Sequence, residues 1–151
     1  MWTAVGERRG REGAVRYLGV DFGERHIGVA VCDDDERVAV AMDTVARSSD
    51  PQAIAALLAI AGRENAGGIV VGEPRRLDGT EGDAARRAQG FAAKLRHASP
   101  LQILLHDEAL TSHEARSRLR EASASRRRRR SAVHAVAAQI LLQDWLDRRR
   151  A

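Results

Sequence analysis

The segment from Tyr17 to Cys32, YLGVDFGERHIGVAVC, constrains the fold most, because it places one acidic residue between two strongly apolar runs. Residues 15–20 and 27–31 have the composition of buried strands, and Gly23 between them is expected at a positive-φ turn position. The segment therefore predicts a β-hairpin that holds Asp21 at the end of a core strand. A buried carboxylate is unfavourable without a partner, and a divalent cation is a common one. The alternative is an aspartate that only closes the turn through its own backbone.

The length and composition of the chain predict one domain. Its 151 residues, 44% of them hydrophobic, are enough for a buried core. We expect a flexible extension over residues 1–14, a single domain over 15–148 and a tail over 149–151. Cys32 is the only cysteine, which indicates a structural thiol in a reducing compartment. Because no apolar run reaches the roughly 20 residues of a membrane span, we expect a cytoplasmic protein with no membrane partner.

The rest of the pattern predicts an α/β fold. Residues 37–42 indicate a third strand that completes an antiparallel meander. Short apolar runs at 69–71 and 101–105 are typical of strands covered on both faces. The expected architecture is a mixed five-stranded sheet, an antiparallel three-strand meander plus parallel strands, with helices on both faces.

Four helices are expected between and after these strands. Asp50 should cap the first, with Pro51 as its first residue and Gly67-Gly68 at its end. The second should bury one face. A capping box predicts the third over about 111–122, and the fourth should run from about 131 to 148. The residues expected on the buried face of the second helix are Ala84, Ala88, Phe91 and Leu95.

Basic residues are concentrated near the end of the chain. Residues 96–151 carry 12 basic and 6 acidic side chains, whereas residues 1–95 carry 13 and 15. This asymmetry predicts a polyanionic partner, nucleic acid first. The densest part is 123–131, SASRRRRRS, which we expect to be an exposed, flexible loop. This loop is predicted to contact phosphates next to the active site independently of sequence. The alternative is a solvated loop without a role.

Acidic residues follow a second predicted strand, since Asp107 and Glu108 come after the run at 101–105. Carboxylates that converge from separate elements can hold two cations that promote phosphodiester hydrolysis. If the strand continues, Asp107 faces away from Glu108 and is the weaker candidate for a metal ligand. Glu73, at the end of the neighbouring strand, is the reserve candidate. For Glu108 the alternative is a charge favoured by a neighbouring helix dipole. The loop over 72–82 is either a mobile ligand-side loop or an ordinary connection.

Four segments together resemble the YqgF (RuvX) family: GVDFGERHIGVAV, IVVGEPRRLDGTEG, DEALTSHEA and SRRRRRSAVHAVAAQILLQDWL. This family is a branch of the RNase H-like nuclease fold related to Holliday-junction resolvases, and the resemblance covers nearly everything after Val15. It implies an endonuclease that depends on Mg²⁺ or Mn²⁺ and takes part in maturation of the 5′ end of pre-16S ribosomal RNA. Some members resemble resolvases that act on branched DNA. The chain could act as a monomer or a homodimer.

The resemblance also assigns roles by position. Asp21 matches the catalytic aspartate of the first strand, Glu108 matches the glutamate of an Asp-Glu-Arg motif, and His134 stands where an aspartate is usual. We predict all three as catalytic metal ligands. The predicted nucleic-acid contacts are Arg75, Arg76, Arg126, Arg127, Arg128, Arg129 and Arg130, and the predicted active-site loop includes Gly79, Thr80 and Glu81.

Three positions depart from the family's pattern, namely Glu73, Ala109 and His134. With Ser131 as the expected cap of the last helix, His134 would lie in its first turn and face the sheet end that bears Asp21. A histidine that only packs is the alternative. The main rival function is a non-catalytic nucleic-acid-binding or ribosome-assembly factor on the same fold. An ATPase of the actin and sugar-kinase type is disfavoured, because such proteins need two domains of this kind.

Overall fold

A computed structural model describes residues 15–23, 25–74, 82–107 and 126–150, with the side chains of the last helix described from residue 133. The strands are β1 (Arg16–Phe22), β2 (His26–Cys32), β3 (Ala39–Ala46), β4 (Ala66–Glu73) and β5 (Gln102–Asp107). The helices are α1 (Asp50–Arg63), α2 (Asp83–Ala98) and α3 (Arg126–Arg150). The predicted helix over 111–122 lies outside the described residues.

The five strands form one sheet in the order β3-β2-β1-β4-β5. β1 pairs antiparallel with β2, and β2 pairs antiparallel with β3. β4 pairs in parallel with both β1 and β5. The predicted mixed sheet, an antiparallel meander joined to parallel strands, is therefore confirmed.

Helices cover both faces of the sheet, as predicted. The face under α1 and α2, called the α1/α2 face below, buries Val20, Leu57 and Phe91 in one apolar cluster. The opposite face, called the α3 face, buries Tyr17 and Leu142 with other residues of α3 in a second cluster. Because successive residues of a strand face opposite sides, each strand contributes to both clusters.

The third strand begins later than expected and is longer. It starts at Ala39 and not at residue 37, because the backbone N–H groups of Arg37 and Val38 take part in the preceding turn. Asp33 Oδ1 accepts hydrogen bonds from the N–H groups of Arg37 (2.7 Å) and Val38 (3.1 Å). Glu36 completes this turn in the left-handed region, with φ of 57°. The turn therefore delays the strand.

The first helix is capped one residue earlier than predicted. Ser49 is the N-cap, its Oγ accepting from the N–H of Gln52, so that Asp50 and Pro51 are the first two helical residues. The helix ends before Asn65, which has φ of 54°. The Gly67-Gly68 pair, predicted to end this unit, instead lies inside β4.

The second helix buries a slightly different face from the one predicted. Ala84 is exposed, whereas Ala85 is buried together with the other apolar residues of the helix. The buried set is Ala85, Ala88, Phe91, Ala92 and Leu95. The sequence places alanine at both 84 and 85, and only the contact with the sheet decides which one faces inward.

The last helix corrects two predictions. It begins at Arg126, so the five arginines expected in a flexible loop have a helical backbone, and Ser131 is not its cap. His134 accordingly lies more than two turns inside the helix. Arginine is a good helix former, and extending a helix that is already held by packing adds one hydrogen bond per residue.

Cys32 is a buried free thiol, as the sequence predicted. Its Sγ accepts a hydrogen bond from the N–H of Tyr17 at 3.1 Å. Burial raises the pKa of this thiol, although the same hydrogen bond opposes the effect. The residue is therefore a structural thiol on the α3 face. None of the helices in the described part of the chain is long and apolar enough to cross a membrane.

Candidate active site

Asp21 lies at the end of β1 and is only 3% exposed. Its neighbour Val20 belongs to the cluster under α1 and α2, so alternation along the strand turns Asp21 toward α3. In the sheet it pairs with Gly28 of β2. The predicted hairpin thus holds a carboxylate inside the fold, where it requires a polar partner.

That partner is His134 of α3, whose Nδ1 lies 2.6 Å from Asp21 Oδ2. An ionised carboxylate can only accept, so Nδ1–H is the donor. In the neutral ring, Nε2 then keeps its lone pair and can bind a cation or accept a proton. The structure therefore brings together two of the three predicted ligands, which are 113 positions apart in the chain.

Two glycines create the space for this pair. A Cβ at Gly28 would stand 1.8 Å from the backbone oxygen of His134, so α3 rests on the backbone of β2. A Cβ at Gly23 would stand 2.6 Å from Cε1 and 2.9 Å from Nε2 of the same imidazole. The φ of Gly23 lies outside the left-handed region, so the predicted reason for this glycine was wrong. Close approach, and not a special turn conformation, requires glycine here.

His26 is a site neighbour that the sequence reasoning missed. Its ring is stacked beside that of His134, with centroids 6.4 Å apart and an interplanar angle of 25°. The sequence contained a signal for this position, because His26 and Gly28 are two residues apart in a strand and therefore lie on the same face of the sheet. Gly23 donates its N–H to the carbonyl of His26 at 3.1 Å and so closes the hairpin.

Glu73, the reserve candidate, does not face Asp21. It is 6% exposed, and Gln89 of α2 donates to its Oε2 at 2.6 Å. Alternation along β4 explains this, since Val70 packs on the α3 face and a residue three positions later faces the other way. Asp107 is exposed and pairs in register with Glu73, so it too lies on the α1/α2 side.

Several predicted site residues lie outside the described part of the chain. Glu108, the basic pair Arg75 and Arg76, and the loop residues Gly79, Thr80 and Glu81 belong to this group. Arg126, Arg127, Arg128, Arg129 and Arg130 have described backbones in α3, whereas their side chains are not described. Their predicted roles stay predictions.

Asp21 and His134 have side chains of types that can bind a divalent cation. Among residues 15–23, 25–74, 82–107 and 133–150, no group of three His, Cys, Asp or Glu side chains is placed to hold a metal ion. Asp21 and His134 contribute one carboxylate and one imidazole. A carboxylate oxygen suits Mg²⁺ and Mn²⁺, and an added nitrogen donor favours Mn²⁺. Each of the two groups is therefore chemically suited to such an ion.

Comparison with known proteins identifies relatives over almost the whole chain. The family described as "RuvX: Holliday junction resolvase" matches residues 15–148. A protein of Anaeromyxobacter dehalogenans (strain 2CP-1), named "Putative pre-16S rRNA nuclease", is 46% identical over 135 residues, which cover 89% of this chain and 98% of the relative. A protein of Crocosphaera subtropica with the same name is 40% identical over 137 residues, covering 91% and 96%.

Solved structures show the same fold. RuvC of Thermus thermophilus in complex with Holliday junction substrate aligns with a TM-score of 0.56 at 16% identity, covering 90% of this chain and 96% of that one. Fowlpox virus resolvase, also in complex with Holliday junction DNA, aligns with a TM-score of 0.57 at 8% identity, covering 90% and 99%. At such identities these two matches establish the fold alone. The family match over residues 15–148 and the two close relatives show that this chain belongs to the RuvX family.

Proposed function

We propose that this protein is a divalent-metal-dependent endonuclease that hydrolyses phosphodiester bonds in structured nucleic acid, with precursor 16S ribosomal RNA as its substrate. The observation that carries the proposal is the contact of the buried Asp21 with His134 at the end of β1. The names of the close relatives support the choice of substrate. The family match supports nuclease chemistry on this fold.

The proposed ligands are Asp21, His134 and Glu108. A divalent cation at this site would lower the pKa of an attacking water and offset the charge that develops on the leaving oxygen. Asp21 contributes a carboxylate whose Oδ2 is already engaged by Nδ1–H of the imidazole. Burial of that carboxylate keeps bulk water away, so its charge acts at a low effective dielectric constant.

His134 has two nitrogens with separate tasks. Its Nδ1–H is held by Asp21, which fixes the tautomer and the orientation of the ring. Its Nε2 faces away from Asp21, so it would accept a water proton or bind a different cation from the one held by Asp21. Gly23 lies against this edge of the ring and has no side chain that could cover it.

The main experiment compares Asp21→Asn and His134→Ala with matched controls on the surface. Asp35→Asn makes the same change in the exposed acidic turn, and His97→Ala removes an exposed histidine of α2. We expect both site variants to lose cleavage of a structured RNA by about 100-fold or more, and binding measured in EDTA to change little, because each variant stabilises the transition state less and still binds the substrate. Cleavage at the wild-type rate by Asp21→Asn, or by the wild type in excess EDTA, would overturn the proposal.

The metal preference tests the role of His134 separately. A nitrogen ligand in place of the family's usual aspartate removes one negative charge, so we expect Mn²⁺ to support faster cleavage than Mg²⁺. His134→Asp should restore a carboxylate and narrow the difference between the two ions. If His134→Ala cleaves like the wild type with an unchanged metal preference, His134 only packs.

Branched DNA is the second candidate substrate, and the description of the matching family favours it. The same site would then cut a four-way junction. Sequencing the product ends from a structured precursor RNA and from a synthetic junction, each at equal enzyme concentration, distinguishes the two. Binding without cleavage of either substrate, in Mg²⁺ and in Mn²⁺, would instead identify a non-catalytic nucleic-acid-binding factor.

A further inference from the structure

We propose that His106 and Asp144 form a latch that positions the carboxyl end of β5 at the active site, so that both act as positioning residues for the nuclease. The inference rests on the function proposed above. The latch is defined as the side-chain contact between these two residues, one on β5 and one on α3. Neither residue was singled out from the sequence.

The latch is short, and its histidine is largely shielded from solvent. His106 Nε2 lies 2.7 Å from Asp144 Oδ2, and the side chain of His106 is only 10% exposed. Because the carboxylate accepts, Nε2–H of His106 donates. Arg148, one turn further along α3, places its Nε 3.1 Å from the same oxygen. The Asp144 carboxylate is thus held between β5 and its own helix.

Strand register places His106 in the same row of the sheet as Asp21. His106 pairs with Gly72 of β4, and Val71 of β4 pairs with Val20 of β1. Gly72 is therefore the next residue beside Asp21, and the backbones at Asp21 and His106 are two strands, or roughly 10 Å, apart. Since Gly72 has no side chain, β4 contributes none to that row. His106 thus lies at the edge of the candidate site.

Helix α3 holds both ends of this row. His134 reaches Asp21 on β1, and Asp144 reaches His106 on β5. The two helical residues are ten positions apart, or about 15 Å along the axis. One rigid helix therefore sets the position of the β5 end relative to the end of β1.

The end of β5 needs such support because it is an edge of the sheet. β5 pairs only with β4 in the described part of the chain, and its last pair is Asp107 with Glu73. Strand ends with one paired neighbour fray readily. In sequence, the proposed ligand Glu108 follows Asp107 directly. Holding His106 in place therefore restricts the backbone from which that ligand continues.

The test uses His106→Ala, Asp144→Ala and the double variant, with two matched controls. Asp147→Ala removes a carboxylate three positions later in α3; this residue is 55% exposed and bonds to Gln143 and Arg150 of the same helix. His97→Ala removes an exposed histidine of α2. Two quantities are measured for each variant: hydrogen exchange of the β5 amides, and the Mn²⁺ concentration that gives half-maximal cleavage.

We expect each latch variant to exchange the amides at the carboxyl end of β5 at least about tenfold faster than the wild type. The Mn²⁺ concentration for half-maximal cleavage should rise at least about tenfold, because a ligand on a loosened strand is less well placed. The double variant should be no worse than either single variant, since each single change already breaks the latch. The controls should match the wild type in both measurements.

Unchanged exchange and unchanged Mn²⁺ dependence in both single variants would overturn the latch. Additive effects in the double variant would do so as well, because the two residues would then act independently. A wild-type protein that cleaves nothing would overturn the proposed function, and exchange at β5 would still decide whether the latch exists. Should His106→Ala fail to fold, Asp144→Ala, at a position that is 43% exposed, gives the same two measurements.

Discussion

Gly23 determines how closely the β1–β2 hairpin can approach His134. A Cβ at this position would meet the backbone oxygen of His26 at 2.5 Å and His134 Cε1 at 2.6 Å. Neither atom is the end of a flexible side chain free to swing away, because the first is backbone and the second belongs to a ring held by Asp21. The orientation of the imidazole therefore depends on the absence of a side chain in the hairpin.

We expect Gly23→Ala to lower cleavage by at least about tenfold and the free energy of unfolding by about 1–3 kcal/mol, since a methyl group is forced into a filled space. Urea unfolding and cleavage of a structured RNA measure the two effects. Gly90→Ala is the control, because a Cβ there meets nothing within 4 Å. That variant should gain about 0.5–1 kcal/mol from helix propensity and keep its activity. If the Gly23→Ala protein were as active as the wild type, a methyl group at position 23 would not disturb the His134 ring, and this explanation of Gly23 would be wrong.

At the scale of elements, α3 is positioned by contact with strand backbones. A Cβ at Gly19 would stand 2.7 Å from Leu142 Cβ, and one at Gly28 would stand 1.8 Å from the carbonyl oxygen of His134. The C-terminal part of the helix is held by Trp145, whose ring packs edge to face on Tyr17 with centroids 4.5 Å apart. These contacts set the height of α3 above the sheet, and with it the reach of His134 and Asp144.

The elements on the opposite face meet at Asp50, in the first turn of α1. Lys94 of α2 donates to its Oδ2 at 2.7 Å, and Arg47, just after β3, donates to its Oδ1 at 3.0 Å. The hydrogen bond from Lys94 and the contact with Arg47 hold the pKa of Asp50 below its usual value of 3.8. Because the folded-state pKa is depressed, this stabilisation is present above pH 3.8 and is lost as the pH falls through the folded-state pKa.

We therefore expect Asp50→Asn to lower the free energy of unfolding at pH 7 by about 1 kcal/mol, a modest value because Lys94 is 59% exposed and solvent screens its charge. The difference from the wild type should shrink in acid, as the wild-type carboxyl takes up its proton. Urea unfolding across a pH series measures this. Asp35→Asn, in the exposed turn, should stay within about 0.5 kcal/mol of the wild type. A difference independent of pH would contradict the electrostatic explanation.

At the scale of the whole molecule, helix α3 connects the basic segment of the chain to the candidate active site. Arg126–Arg130 precede His134 by four to eight positions in one helix, which corresponds to about 6–12 Å along the axis. A helical backbone holds the Cα atoms of these arginines at set distances from that of His134, as a flexible loop does not. The basic run therefore extends from the candidate active site in a defined direction.

We expect Arg129→Gln with Arg130→Gln to weaken binding to unrelated nucleic-acid sequences alike. The slope of log K against log salt should flatten by about 0.7–0.9 for each phosphate that is no longer neutralised. Glutamine keeps the helix propensity that serine would reduce. The matched control is Arg63→Gln with Arg86→Gln, which removes the same charge from exposed positions of α1 and α2. Equal slopes in both double variants would show that only net charge matters.

Some features of the molecule were predictable from the sequence because they depend on neighbours along the chain. The alternation in residues 17–32 predicts the hairpin and the burial of Asp21, and short apolar runs predict β4 and β5. The motif segments together pointed to the RuvX family, which the comparisons confirm. The predicted strand boundaries and the predicted cap of α1 were displaced by one to a few residues. Ser49 and Asp50 are nearly equivalent as caps, and Ala84 and Ala85 are equivalent as buried residues, so only their contacts in the fold distinguish them.

The tertiary structure alone decided which distant side chains meet. Asp21 bonds with a histidine 113 positions away, and His106 bonds with an aspartate 38 positions away. Glu73 turned to the α1/α2 face and His26 joined the site because the sheet register assigns every residue to one side. These outcomes depend on how closely α3 can rest on Gly19 and Gly28. Contacts of this kind form between surfaces brought together by folding, so residue types and spacing along the chain do not specify them.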